Sequence, residues 1–97
     1  MDRIGAMQTF VRVVEAGSFV RAAEQLGLST TATSRLVAEL ETHLGARLLN
    51  RTTRSLSLTD AGRAYFERCE LILADLEEAE ALIGQQALNP SGVLRLT

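Results

Sequence analysis

The apolar residues of the first 45 positions recur with helical spacing in three blocks. The first block predicts an amphipathic helix from about Arg3 to Glu15, and Gly17 is expected to end it. Its apolar positions follow the spacing i, i+3, i+4, i+7 and are Met7, Phe10, Val11 and Val14. This helix has no candidate catalytic or binding residue, so its apolar stripe is best explained as one wall of a three-helix core.

The other two blocks predict a pair of shorter helices between Ser18 and Leu44, joined by a tight turn. Ser18 and Ser29 suit the N-cap position, because a hydroxyl oxygen accepts a hydrogen bond from a free backbone N–H. Gly27 supplies the positive φ that ends a helix. The inward positions are Ala22, Ala23 and Leu26 on the first helix of the pair and Leu36, Val37, Leu40 and Leu44 on the second.

The outer face of the second helix of the pair combines small and hydroxylated side chains with one arginine. These residues are Thr30, Thr31, Ser34, Arg35 and Ala38. A helix with so little bulk fits a DNA major groove, where Ser and Thr bond either kind of base edge and Arg prefers guanine. An ordinary solvated face has the same composition, and this stretch alone does not separate the two interpretations.

The segment after Gly45 predicts a short two-stranded hairpin, or wing. Leu56 and Leu58 alternate with a polar residue, whereas Thr, Asn and Arg crowd the middle of residues 48–58. Arg54 is therefore expected near the tip, where a guanidinium can enter the neighbouring minor groove. An exposed arginine without a role is the alternative, but the adjacent candidate recognition helix favours a DNA contact.

A different pattern follows Thr59, a candidate cap, and predicts one helix from Asp60 to about Leu88, ~45 Å long at 1.5 Å per residue. Its apolar positions are spaced by 4, 3, 4, 3 and 4 residues, as in a heptad seam, and are Tyr65, Cys69, Ile72, Leu76, Ala79 and Ile83. Such a seam is longer than a small domain can cover, so a partner helix is predicted. Packing against its own domain alone is the alternative. Cys69 is interpreted as a small apolar seam residue and not as a redox switch.

The end of the chain predicts a turn followed by an alternating strand within residues 89–97. Because a strand needs neighbours, these residues are expected to be the hinge and first strand of a further, absent domain. The expected organisation is a DNA-binding unit over residues 1–59, with its helix-turn-helix at about 18–44, and a linker helix over residues 60–88.

Charge is segregated along the 97 residues, although the net charge is only −2. Residues 1–58 hold seven arginines and five acids, whereas residues 59–97 hold three arginines and seven acids. No acid lies between positions 42 and 59, and this acid-free segment contains Arg47, Arg51 and Arg54. A local basic patch favours a nucleic-acid partner. Every strongly basic residue is arginine, which suits phosphate and guanine, although a GC-rich genome produces the same bias.

The sequence argues against several classes of function. No apolar run approaches the ~20 residues that span a bilayer, and the N-terminus lacks a signal-peptide core, so a cytoplasmic protein without membrane contact is expected. A single cysteine excludes an internal disulfide. His43 has no second metal ligand at useful spacing, and neither a phosphate loop nor a nucleophile with its base is present. We therefore expect no metal site and no enzyme activity.

Residues 16–62 resemble the winged helix-turn-helix of LysR-type transcriptional regulators. The matching motifs are AGSF at 16–19, AAxxL at 22–26, SR at 34–35, LE at 40–41, LG at 44–45, LxR at 49–51 and LTxAG at 58–62. The resemblance extends over the whole chain. It implies a mainly α fold, in which a winged helix-turn-helix of three helices and a two-stranded wing is followed by a long dimerisation linker helix.

The resemblance also implies a function, that of a bacterial, sequence-specific transcriptional regulator that binds operator DNA as a dimer. The recognition helix is expected in the major groove and the wing at the minor groove. The expected DNA contacts are Ser29, Thr30, Thr31, Thr33, Ser34, Arg35, Arg51, Thr53 and Arg54. Thr31 and Thr33 depart from the family pattern, which favours proline and an aliphatic residue there, so the operator sequence is not transferable from a relative.

The family's partners complete the expectation. The linker helices are expected to pair antiparallel in a homodimer, with a tetramer of the full-length protein and contact with RNA polymerase as further implied assemblies. A small-molecule effector is expected on the absent C-terminal domain, and no cofactor in this fragment. A winged-helix protein-interaction module without DNA binding is the alternative function, against which the acid-free segment argues.

Overall fold

Four helices and a two-stranded sheet make up the computed structural model, which describes residues 2–51 and 55–88. Their order is α1 (Arg3–Ala16), α2 (Phe19–Leu26), α3 (Thr30–Leu44), β1 (Leu49–Arg51), β2 (Leu56–Leu58) and α4 (Asp60–Leu88). The predicted mainly α fold, with a helix-turn-helix, a wing and a long final helix, is confirmed. Like the other described helices, α4 lacks the apolar stretch that crossing a membrane requires.

Local capping explains where the first three helices begin and end. Ser18 and Ser29 each accept a hydrogen bond from the backbone N–H three residues ahead, both at 3.0 Å. Gly27 ends α2 at φ 72°, a conformation that side chains with a Cβ disfavour, and so permits the tight turn into α3. Gly17 and Gly45 end α1 and α3 in the same left-handed conformation.

The core lies where α1 meets the other three helices, with the fully buried Phe10 at its centre. The ring centroid of Phe10 is 5.8 Å from that of Tyr65 and 6.3 Å from that of Phe66, so α4 begins as part of this core. On α3, Val37 and Leu40 are buried as predicted. Leu44 was expected to face inward, and this is wrong: it is 39% exposed, because α3 extends past the core at its last turn.

The wing is an antiparallel pair in which Leu49 lies opposite Leu58 and Arg51 opposite Leu56. Leu49 and the preceding Leu48 are almost fully buried, so the wing is fixed to the core at its base. The predicted hairpin is confirmed. Thr53 and Arg54, the predicted contacts at its tip, lie outside the described residues.

The junction of the wing and α4 explains the threonine and glycine of the LTxAG motif. Thr59 donates a side-chain hydrogen bond to the carbonyl oxygen of Arg47 at 2.6 Å and accepts one from the N–H of Gly62 at 2.9 Å. Thr59 also donates its backbone N–H to the carbonyl of Leu48 at 3.0 Å. A Cβ at Gly62 would overlap the backbone carbonyl of Leu48, so only glycine lets α4 lie this close to the wing.

Candidate nucleic-acid interface

The outer face of α3 presents most of the predicted contact residues together. Thr30, Thr31, Arg35 and Ala38 are exposed, and Ser34 is half-buried at the edge of the same face. Ser29 is exposed as well, but its hydroxyl oxygen accepts the capping hydrogen bond from the N–H of Ala32. Apart from Arg35, the side chains of this face are therefore small over the first two turns of α3, which is a shape that a major groove accepts.

Thr33 does not belong to this face, so its prediction as a DNA contact is wrong. Its side chain is fully buried, and its hydroxyl donates to the carbonyl oxygen of Ser29 at 2.9 Å. Thr33 lies four and seven residues before Val37 and Leu40, so it belongs to the inward stripe of α3. The back-bond to Ser29 satisfies the hydroxyl within the core.

Arg51, another predicted contact, is in contact with three residues of its own domain. Its Nη1 donates to the Oγ of Ser34 at 3.3 Å, and its Nη2 lies 3.6 Å from the Oε1 of Glu41. The guanidinium carbon lies 4.7 Å from the ring centroid of Phe19. Arg51 thus connects β1 to both α2 and α3, and its direct contact with DNA stays a prediction.

Glu41 joins the recognition helix to the wing and was missed as a site residue. Its Oε2 accepts hydrogen bonds from the backbone N–H groups of Leu48 and Leu49 at 2.8 and 3.2 Å, while its other oxygen faces Arg51. These bonds satisfy the first donors of the wing and fix the angle between α3 and β1. The signal was available, since Glu41 is the last acid before the acid-free segment and follows a core leucine.

The charge of this side of the molecule is positive. Arg35 and Arg47 are exposed, and Arg51 is partly so, with its side chain 33% accessible. The exposed Glu39 is the nearest acid along α3, one helical turn beyond Arg35. The outer face of α3 and the base of the wing thus form one basic surface of the kind that attracts phosphate.

The first two residues of the predicted dimer seam face their own domain. Cys69 is fully buried, and Tyr65 is half-buried against Phe10. Burial and the neighbouring Cys69 raise the pKa of Tyr65 to about 12, and burial also raises the pKa of the Cys69 thiol. As a dimer contact Cys69 is wrong, and Tyr65 is mainly a core residue, because the start of α4 closes the three-helix core.

Most of the later seam residues are exposed, with Leu76 as the exception. Leu76 is half-buried, Ala79 is exposed, and Ile72 and Ile83 are 46% and 62% exposed. Leu71 and Leu82, which the heptad spacing omitted, are 58% and 55% exposed. At 100° per residue they both lie on one side of the stripe of Ile72, Ala79 and Ile83, so the exposed apolar face of α4 is wider than the seam predicted.

Residues 4–63 match the sequence model of a protein family, "Bacterial regulatory helix-turn-helix protein, lysR family". An HTH-type transcriptional repressor of Pseudomonas aeruginosa (strain UCBPP-PA14) is 53% identical over 96 residues, which are 99% of this chain and 30% of that protein. The chain thus spans about a third of the length of this curated relative.

Two solved structures are similar to the chain. The crystal structure of the BenM DBD in complex with catB site 1 DNA matches with a TM-score of 0.84 at 28% identity, covering 92% of this chain and 95% of that one. The structure of CrgA, a LysR-type transcriptional regulator from Neisseria meningitidis, matches with a TM-score of 0.69 at 52% identity, covering 81% of this chain and 27% of that one.

Proposed function

Because the chain belongs to the lysR family of bacterial regulatory helix-turn-helix proteins, we propose that it binds DNA as the N-terminal part of a transcriptional regulator. One observation carries the proposal. The unobstructed hydroxyl and arginine face of α3 lies beside the basic base of the wing, on a scaffold that superposes on a domain solved with DNA. The α3 face enters the major groove, and the wing lies over the adjacent minor groove.

The proposed DNA contacts differ in which part of the duplex each side chain binds. Arg35 is exposed on the outer face of α3 and is assigned to a base edge, guanine being its best partner. Thr30 and Thr31, near the N-terminus of α3, are assigned to phosphate or base oxygen and nitrogen atoms. Arg54 is proposed to extend the contact into the minor groove from the wing.

We further propose that the full-length protein acts as a homodimer, through the exposed apolar face of α4. For the full-length protein we also propose a tetramer, contact with RNA polymerase and a small-molecule effector on a C-terminal domain. The chain is proposed to work in the bacterial cytoplasm, at the nucleoid, by binding and not by catalysis.

A salt titration tests the proposal. The chain is mixed with fluorescent duplex DNA of mixed sequence at two or more salt concentrations, and the affinity is expected to fall steeply as salt rises, because phosphate contacts release counterions. A protein-interaction module would show no such dependence, and this outcome would favour the alternative function, for which no observation speaks at present.

Two arginine variants sharpen the test. On a duplex selected from a random library, Arg35→Ala is expected to cost about 1 to 3 kcal/mol and to remove the preference at one base pair. Arg12→Ala is the matched control, because it also removes one exposed positive charge but from α1, where Arg12 pairs with Glu15 at 3.5 Å. Equal losses for the two variants would contradict base readout by α3.

A further inference from the structure

Ser34 differs from three threonines within the helices in what its hydroxyl bonds. Thr9, Thr33 and Thr42 each donate to the carbonyl oxygen four residues back, at 2.8 to 3.0 Å. Over the described part of the chain, Ser34 makes no bond of that kind, and its Oγ instead accepts the hydrogen bond from Arg51. Its own hydrogen is therefore left for a partner outside the protein.

The Arg51 guanidinium, which donates to Ser34, is itself fixed by contacts with α2 and α3. The guanidinium of Arg51 stacks over Phe19 of α2 and faces Glu41 of α3, and Glu41 is in turn held by two backbone N–H groups of the wing. The carboxylate of Glu41 is mostly covered, with 17% of its side chain accessible. A planar, fixed guanidinium fork points one N–H at Ser34, which a flexible ammonium would not reproduce.

We propose that Arg51 is a positioning residue that makes Ser34 a hydrogen-bond donor toward DNA. With one lone pair of Oγ occupied by Arg51, the Ser34 hydroxyl presents its hydrogen to an acceptor, either a phosphate oxygen or a purine N7. In this role, which replaces the predicted direct contact, Arg51 itself does not contact the DNA backbone. The inference rests on the proposed DNA binding and assigns to Arg51 a role different from that of Arg35.

A double-mutant cycle on the 97-residue chain tests the coupling. Ser34→Ala, Arg51→Gln and the double variant are titrated with one duplex selected from a random library. Each single variant is expected to bind about three- to tenfold more weakly, the size of one ordinary hydrogen bond. The double variant is expected to bind no more weakly than Ser34→Ala, because the effect of Arg51 passes through Ser34.

The salt dependence separates positioning from a direct contact. A phosphate contact by Arg51 would lower the slope of log affinity against log salt by about 1 in Arg51→Gln, whereas positioning leaves the slope unchanged. Arg47→Gln is the matched control, since Arg47 is exposed in the same acid-free segment and its side chain takes no part in the contacts of Arg51 with Ser34, Glu41 and Phe19. Its loss is expected to add to that of Ser34→Ala.

Arg51→Lys provides a variant that keeps the charge. It is expected to bind as weakly as Arg51→Gln, because lysine lacks the fork that reaches Ser34 while stacked on Phe19. Circular dichroism and thermal melting of each variant identify the temperatures at which all of them are folded, and affinities are compared only there. The slope of log affinity against log salt is measured separately for each variant.

The outcomes separate the inference from the function on which it rests. A slope reduced by about 1, full rescue by lysine, or additive losses in the cycle would overturn the positioning role while leaving DNA binding intact. Absence of salt-dependent binding by the unaltered chain would overturn the proposed function itself. Duplexes with 7-deazapurines, which lack the N7 acceptor, distinguish the two acceptors: an undiminished effect of Ser34→Ala on them assigns Ser34 to phosphate.

Discussion

Gly62 and Gly84 lie in the same helix but differ in what surrounds them. A Cβ at Gly62 would overlap the carbonyl oxygen of Leu48, whereas a Cβ at Gly84 would meet nothing within 4 Å. Gly62→Ala is therefore expected to lower the free energy of unfolding by about 1 to 3 kcal/mol through overpacking. Gly84→Ala is expected to raise it by up to about 1 kcal/mol, because alanine is the better helix former. Urea unfolding of both variants checks the pair, and equal changes would contradict the close approach at Gly62.

We expect Tyr65 to make the stability of the fold depend on pH in the alkaline range. Few other groups in this chain titrate there. The chain has one tyrosine, one cysteine and no lysine. Burial and Cys69 raise the pKa of Tyr65 to about 12 from its ordinary value of 10.0, so the fold favours the protonated phenol. That stabilisation is complete below pH about 10 and is lost as the pH rises toward about 12.

The measurement compares urea midpoints between pH about 8 and 11.5 for the unaltered chain and for Tyr65→Phe. The ring of phenylalanine keeps the contact with Phe10 but does not titrate, so the alkaline loss of stability is expected to shrink in the variant. Part of it remains through Cys69, whose pKa is also raised by burial. Identical pH profiles would show that the Tyr65 phenol is not buried as described.

Single residues also show where sequence reasoning stops. The caps at Ser18 and Ser29 were predictable because each forms a bond within its own turn. The contacts of Arg51 were not, since Ser34 is 17 positions away and Phe19 lies on another helix. Thr33 was misassigned because a hydroxyl on a helix looks polar in the sequence, whereas its back-bond lets it be buried.

At the scale of elements, the turn between α2 and α3 determines how the recognition helix is presented. Gly27→Val places a β-branched residue at φ 72°, and Ser29→Ala removes the bond to the N–H of Ala32. Ser29→Ala is expected to cost about 1 kcal/mol of stability, and Gly27→Val more. Thermal melting of both variants tests this order. An unchanged melting temperature for Gly27→Val would mean that the turn is not constrained to the left-handed conformation.

The sequence predicted which positions of α4 are apolar, but not which of them face the core. Heptad spacing identifies apolar positions, but it does not say which of them the chain's own domain covers. The core takes Cys69 and Leu73 from one side of α4 and leaves Ile72 and Ile83 on the neighbouring side. That division depends on where α1 lies, which no local pattern in residues 60–88 contains.

At the scale of the whole molecule, the exposed face of α4 predicts the assembly state. Replacing Ile72 and Ile83 with Asp would place charges in a two-fold apolar interface, at a cost that a small dimer cannot absorb. The double variant is expected to sediment as a folded monomer and to lose its preference for sites with two-fold symmetry. Half-sites in the unaltered protein are expected about one helical turn of DNA, or a multiple, apart.

Ala81→Asp is the control for this experiment, because Ala81 is exposed on the opposite side of α4. It adds one negative charge, against two in the double variant, and is expected to leave the sedimentation unchanged. A double variant that remains dimeric at micromolar concentration would place the dimer contact on another surface.

Thr59 and Gly62 hold the start of α4 close to the wing, so a small rotation at this junction moves the far end of the helix over a long distance. A single residue separates β2 from α4, and the 29 residues of that helix span about 43 Å at 1.5 Å per residue. A rotation of about 10° at the junction therefore displaces the far end by about 7 Å. Because Leu48 also touches Glu41, a torque applied at the far end passes through the base of the wing into α3. In the proposed homodimer, tension or twist along α4 would change the separation of the two recognition helices without altering any residue on their outer faces.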